Sequence, residues 1–345
     1  MINIAFIRTA YLKPLELGLQ KHYGIRLTEL GIPAQLLKEP TSLIPFNDYL
    51  HWLEQIEELT GDPTYMIKLA ADLSFENIGA LGNWYVSCPD LALAFRRINY
   101  GISCLQGGAS YHGEQSGKIV KWVYNNSYAH GNGASFDSLK VAILFTQVSR
   151  NYMGDDYVPI KVELYGPEIT DPAIQQFFGC PITWQAAATK VWLNLSILEH
   201  GNQRPLPIIK PILVSNLQLD DLLNMPQPQD IAKVMFEIIN YSRYYGYPTL
   251  DFAAEKVGLS RQQLQRQLQR QLQRQLHDYG WTFTGTTNYI LCNVAIKYML
   301  SGTSIPAIAT LLGYSNVQSF NKAFKRNRGL TPAQYQHQLL ERSLN

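Results

Sequence analysis

The chain has 345 residues, 46% hydrophobic and 16% charged, the composition of an ordinary globular protein with length for two domains. No run of about 18 apolar residues offers a membrane span, and MINIAFIRTAYLKPLELG is interrupted by Arg8 and Lys13 with no small-residue cleavage site, so no secretion signal is read and a cytoplasmic location is expected. The net charge of +2 conceals a split: residues 230–345 hold 13 Lys+Arg against 6 Asp+Glu (+7), leaving 16 against 21 (−5) for residues 1–229, so a polyanion suits the C-terminal part only.

The N-terminal part reads as α+β. Asp48 to Leu59 and Pro63 to Leu73 carry apolar residues at helical spacing, the second opening on GDP. Pro89 to Ile102 predicts another amphipathic helix, with Asp90 at its start and Gly101 near its end. The period then changes. KIVKWVY (Lys118 to Tyr124), PIKVELY (Pro159 to Tyr165) and KVWLNL (Lys190 to Leu195) have the β-branched and aromatic content of strands. GNGAS (Gly131 to Ser135) lacks a phosphate-loop or dinucleotide pattern and reads as a plain loop.

The prolines of GNQRPLPIIKP and NMPQPQD flank an amphipathic stretch, Ile212 to Leu223, and set a linker with its own helix over residues 201–229. The domain limits expected are thus 1–200 and 230–345. From Asp230 on, the pattern is all-α. Helices are expected over Asp230 to Tyr245, Leu250 to Val257, Ser260 towards Tyr279, Phe283 to Leu300, Ile305 to Leu312 and Asn316 to Arg328, with Gly258, Gly280, Gly313 and Gly329 as stops.

Two segments share one plan: TLDFAAEKVGLSRQQLQRQL (Thr249 to Leu268) and SIPAIATLLGYSNVQSFNKAF (Ser304 to Phe324). Each has a capped helix with an Ala-rich face, a glycine turn, then a helix that begins with polar side chains. That is a helix-turn-helix, whose second helix can enter a major groove of double-stranded DNA. The two units are placed at about 249–280 and 304–329. Leu264, Leu268, Phe320 and Phe324 are expected in the core.

GYSNVQSFNKAFKRNRGLTPAQY (Gly313 to Tyr335) resembles the signature of the AraC/XylS family of transcription regulators, carried by Gly313, Tyr314, Phe320, Phe324, Lys325, Arg326, Gly329, Thr331, Pro332 and Tyr335. VGLSRQQLQRQL resembles the same family's first recognition helix, and Gly61 to Gly101 resembles the N-terminal effector and dimerisation domain of one AraC-type subgroup. The resemblance implies two helix-turn-helix subdomains joined by a linker helix and entering successive grooves on one DNA face. By position, Gln262, Gln265 and Arg266 would face bases from the first unit, and Val317, Gln318, Asn321 and Lys322 from the second. Gln and Asn can pair bidentately with adenine and Arg with guanine. Arg270, Arg274, Lys325, Arg326 and Arg328 are placed on phosphates, which add salt-sensitive affinity without sequence choice. A small-molecule effector, a homodimer and, for an activator, RNA polymerase are the further partners implied. Trp84, Tyr85, Trp122 and Tyr124 are candidates for an effector pocket, with core packing as the competing role.

One feature departs from the family. From Gln263, QLQR repeats three times and a fourth copy begins at Gln275, about two units more than the family pattern before His277. Eight extra helical residues add about 12 Å, and a period of four drifts about 40° per repeat against the α-helix. The added length can be a solvated helix end, a source of phosphate-binding arginines, or a disruption of the first unit. In the last case the second unit alone would carry DNA binding; the competing function is an effector- or partner-binding protein with DNA binding impaired by the repeat. Against an enzyme, the seven histidines form no HxH or HExxH pattern, no Cys–His cluster exists, and Cys88, Cys104, Cys180 and Cys292 lack CxxC spacing. No metal or cofactor is expected.

Overall fold

The computed structural model describes residues 2–201, 223–271 and 282–343. The expected linker helix at 212–223, apart from Leu223, lies outside these residues, as does the repeat beyond Gln271, with Arg274 and His277. The chain divides into two units, one of Ala5–Met225 and one of Pro226–Asn345 with Met1–Ile4.

In the first unit the short strands β1 (Phe6–Arg8) and β2 (Leu43–Pro45) pair antiparallel, with helices α1 (Leu12–Tyr23) and α2 (Ala34–Leu37) between them. Then come α3 (Phe46–Thr60), α4 (Tyr65–Lys68), α5 (Ala80–Val86) and α6 (Leu91–Gly101). Strands β3 (Ala109–Ser116) and β4 (Ile119–Asn126) form a hairpin that leads into α7 (Gly133–Met153), β5 (Lys161–Glu163), α8 (Pro172–Phe178), β6 (Ile182–Thr183) and β7 (Thr189–Asn194). The five-stranded sheet has the order β3-β4-β7-β5-β6, antiparallel except for β5 with β6.

Asp90 caps α6 as expected, accepting from the Leu93 amide at 2.8 Å. Two expectations are corrected. The helix expected over Pro63 to Leu73 is regular only over α4; beyond it the backbone tightens into turns, the Ala70 amide donating to the Ile67 carbonyl at 3.1 Å and the Asp72 amide to the Leu69 carbonyl at 2.8 Å. GNGAS is not all loop, since α7 starts at Gly133. A β-carbon there would lie 2.4 Å from the Leu50 carbonyl oxygen, so glycine permits this helix end to meet α3. Glu54 completes the join by accepting from the Gly133 amide at 2.7 Å.

Helix α7 is buried on nearly every face and forms the core against which the sheet packs. Trp122 of β4 lies between Phe95 and Phe145, with ring centroids 4.1 and 3.9 Å away, and its indole nitrogen donates to Asn99 at 2.9 Å. Such ring pairs contribute about 0.5–1.5 kcal/mol beyond their buried area. Beside them sits a buried ion pair. Lys140 Nζ donates to Asp137 Oδ1 at 2.7 Å and to the Tyr49 hydroxyl at 2.6 Å, and it lies 4.8 Å from the ring centroids of Tyr11 and Tyr49. The Tyr124 hydroxyl donates to Asp137 Oδ2 at 2.5 Å and accepts from Gln106 at 2.9 Å. Burial, reinforced by Asp137, holds the hydroxyls of Tyr49 and Tyr124 protonated well above the usual tyrosine range.

Among its described residues the second unit is helical: α9 (Ile231–Ser242), α10 (Leu250–Lys256), α11 (Arg261–Gln271), α12 (Phe283–Leu300), α13 (Ile305–Leu311), α14 (Val317–Arg328) and α15 (Pro332–Ser343). Ile239 of α9, Leu291 and Ala295 of α12, Ile308 of α13 and Phe320 and Phe324 of α14 share one core.

Candidate nucleic-acid interface

Both helix pairs are built by local signals. Thr249 opens α10 by accepting from the Phe252 amide at 3.2 Å. Ser260 and Gln263 cap α11 reciprocally: the Gln263 amide donates to Ser260 Oγ at 3.2 Å and the Ser260 amide to Gln263 Oε1 at 2.8 Å. Asn316 opens α14 by accepting from the Ser319 amide at 2.8 Å. Between α13 and α14 the chain turns at Gly313, where φ is +75° and a β-carbon would lie 2.3 Å from the Tyr247 amide nitrogen. Only glycine fits there without displacing backbone.

The aromatic positions of the second unit form a continuous train. Tyr247 meets Tyr314, Tyr314 meets Phe320, Phe320 meets Phe324 and Phe324 meets Tyr335, with centroid separations of 5.2, 5.3, 5.7 and 5.4 Å. It ties the glycine turn, α14 and α15 to one wall. Burial pushes the neighbouring Cys292 thiol up to about 11, against the lowering effect of Arg328, so it remains a neutral core group.

What these helices leave outward is polar. On α11, Leu264 and Leu268 are buried one turn apart while Gln262, Gln265, Arg266 and Arg270 are exposed. On α14, Phe320, Ala323 and Phe324 are buried while Gln318, Lys322, Lys325 and Arg326 are exposed. Three expected contacts are placed differently. Val317 packs partly buried against the core. Asn321 is half-buried, with Oδ1 enclosed and lacking a hydrogen-bond partner. Arg328 donates to Asn293 Oδ1 of α12 and lies 5.7 Å from the Tyr289 ring centroid, so it ties the end of α14 to α12.

A cleft of about 710 Å³ runs beside α14, lined by Lys322, Arg326, Ser319, Ser315, Asn288 and Tyr247 among others. Of its lining, the sequence marks Lys322 and Arg326 as DNA contacts and Gly313 and Tyr314 as signature positions. Its walls come from three separate segments, and no spacing in the chain announces their meeting.

The four aromatics considered for an effector pocket are mostly core. Tyr85 packs edge-on against Phe75 at 5.6 Å, Trp122 sits in its stack, and Tyr124 holds Asp137. Trp84 is 36% exposed, with the Arg97 guanidinium 4.7 Å from its ring centroid. The first unit does carry a cleft of about 560 Å³, between the segment Ala71–Glu76 and the C-terminal half of α7.

A family model described as the arabinose-binding domain of AraC transcription regulator, N-terminal part, matches residues 26–202, and one described as a helix-turn-helix domain matches residues 253–338. The ornithine utilization regulator of Pseudomonas aeruginosa is 22% identical over 340 residues, spanning 95% of this chain and 96% of its own length. Among solved structures, the transcriptional regulator CdpR from Pseudomonas aeruginosa is 15% identical with a TM-score of 0.41, covering 95% of this chain and 98% of that one. A DNA-binding transcriptional dual regulator from Escherichia coli K-12 is 22% identical with a TM-score of 0.29, covering 34% of this chain and 98% of that one. No helix among the described residues is long and apolar enough to cross a membrane. With one model spanning half of the chain and the other running from within α10 to α15, the chain belongs to the AraC family of transcription regulators, with an effector-type N-terminal domain and a helix-turn-helix DNA-binding domain.

Proposed function

We propose that the chain reads a specific DNA sequence with both helix-turn-helix units, in the cytoplasm, under control of a small molecule held by the N-terminal domain. The observation that carries this reading is the division of α11 and α14 into a buried apolar face and an exposed face of Gln262, Gln265 and Arg266 on one and Gln318 and Lys322 on the other. These side chains suit base edges, each good bidentate pair adding about 1–3 kcal/mol of discrimination. Asn321 joins them if its enclosed amide turns outward on binding. Arg270, Lys325 and Arg326 suit phosphates; Val317 and Arg328 hold α14 in place.

Selection of bound sites from a random DNA library, at two salt concentrations, tests the proposal. A defined motif that blurs in Gln265→Ala plus Gln318→Ala supports it. A motif-free, salt-sensitive signal overturns it in favour of purely electrostatic binding, as a first unit disrupted by the QLQR repeat would give.

A further inference from the structure

The cleft in the first unit has a lining that selects one chemistry. Its apolar part is Ala71, Phe75, Leu144 and Val148, and its polar part is Ser74, Glu76, Gln147, Arg150, Asn151 and Asp155. Asn151 Nδ2 donates to Glu76 Oε1 at 3.5 Å, and Gln147 Nε2 donates to the Ala70 carbonyl at 3.3 Å. Each amide is anchored to the protein through one of its two N–H groups, which leaves its oxygen, with the Glu76 carboxylate, able to accept from a ligand. Three acceptors match the three N–H donors of a primary ammonium.

Charge points the same way. Arg150 and Asp155 also line the cleft, and Asp155 acts on the guanidinium as an opposing charge. The Arg150 guanidinium is anchored to the carbonyls of Tyr157 at 3.1 Å and Phe177 at 3.0 Å, to which it donates, and lies 4.9 Å from the Phe177 ring centroid. With that pair balanced, Glu76 sets the sign. The wall reaches the last turn of α7 at Arg150 and Asn151, where the carbonyl end of the helix favours a cation. A volume of about 560 Å³ lies in the range of small-molecule sites.

We propose that this cleft is the effector site and that its ligand is a small primary amine on an aliphatic chain, the ammonium held by Glu76, Gln147 and Asn151 and the chain lying on Phe75, Leu144 and Val148. The inference rests on the reading of the N-terminal domain as the sensor. It is distinct from the four aromatics first considered.

Isothermal titration of the full-length protein with n-pentylamine tests it, with pentanoate and L-arabinose as anionic and neutral comparisons. The expected result is saturable binding of the amine alone, weakened roughly tenfold to hundredfold by Glu76→Gln, as loss of a charge-assisted hydrogen bond requires. Gln147→Met, which removes one acceptor at similar volume, should weaken binding as well, and unchanged melting of both variants confirms that they fold. Absence of saturable amine binding, equal binding by Glu76→Gln, or equal binding of pentanoate or arabinose overturns the proposal. DNA affinity measured on the same protein separates the two readings. Intact DNA binding without amine binding sinks the site alone, whereas lost DNA binding sinks the regulator reading.

Discussion

Removing the ammonium of Lys140 tests what holds the N-terminal unit together. Lys140 and Asp137 are 1% and 0% exposed, and their 2.7 Å contact is supplemented by the hydroxyls of Tyr49 and Tyr124. Lys140→Met keeps most of the buried stem yet leaves the Asp137 carboxylate without its counter-charge. Breaking one partner of a buried pair costs about 3–5 kcal/mol. At roughly 2–4 °C per kcal/mol for a unit of this size, melting should fall by roughly 6–20 °C. The double variant Asp137→Asn plus Lys140→Met should recover half or more of that loss. Its asparagine oxygen still accepts from Tyr124, and no charge is stranded. Thermal and urea melts of the full chain and both single variants, followed by circular dichroism, close the cycle. A coupling of about 1–3 kcal/mol is expected for groups in direct contact. A fall in melting of less than about 2 °C in Lys140→Met, or strict additivity in the double variant, refutes the argument.

Three further outcomes are expected. Lys325→Ala and Arg326→Ala should each reduce the slope of log affinity against log salt by about 0.9 without changing the selected motif; Arg328→Ala should leave that slope unchanged and lower the melting temperature, because its guanidinium is turned towards Asn293 and Tyr289 of α12. Gly313→Ala should destabilise the second helix-turn-helix by more than the about 1–2 kcal/mol of left-handed strain, since its new methyl meets the Tyr247 backbone, whereas Gly258→Ala, at φ +67° with open space around it, should cost only the strain. Denaturant melts with both variants give the order directly. Burial would raise the Asp62 pKa, but hydrogen bonds from Lys68, Tyr23 and Thr64 carry it well below the usual carboxylate range. A lowered folded pKa stabilises fully above the unfolded value of about 4 and is lost as pH falls through the folded one, so the stability gap between wild type and Asp62→Asn should be widest near neutrality and shrink below about pH 4.

Both helix-turn-helix units were legible because their signals are local. Caps at Asn316 and Ser260, stops at Gly313 and Gly329, and apolar pairs such as Phe320 with Phe324 and Leu264 with Leu268 each act within one or two turns, and each recurs in the structure. Strands β4, β5 and β7 were legible for the same reason, through their β-branched and aromatic runs. Helix α7 was not, because a helix buried on nearly all faces shows no single apolar stripe to count. Strand β3, ASYHGEQS, is polar and largely exposed, and becomes a strand by pairing along its whole length with β4. Arg328 has the sequence context of a phosphate ligand and the tertiary context of a tie to Asn293, 35 residues earlier. Lys140 meets Tyr49 across 91 residues, and the amine cleft gathers Glu76 and Asn151 across 75. The sequence by itself determined where chains of backbone hydrogen bonds start, stop and bury one face. Which side chains share an interior was decided only when distant segments packed, because burial and pairing depend on partners that local spacing does not contain.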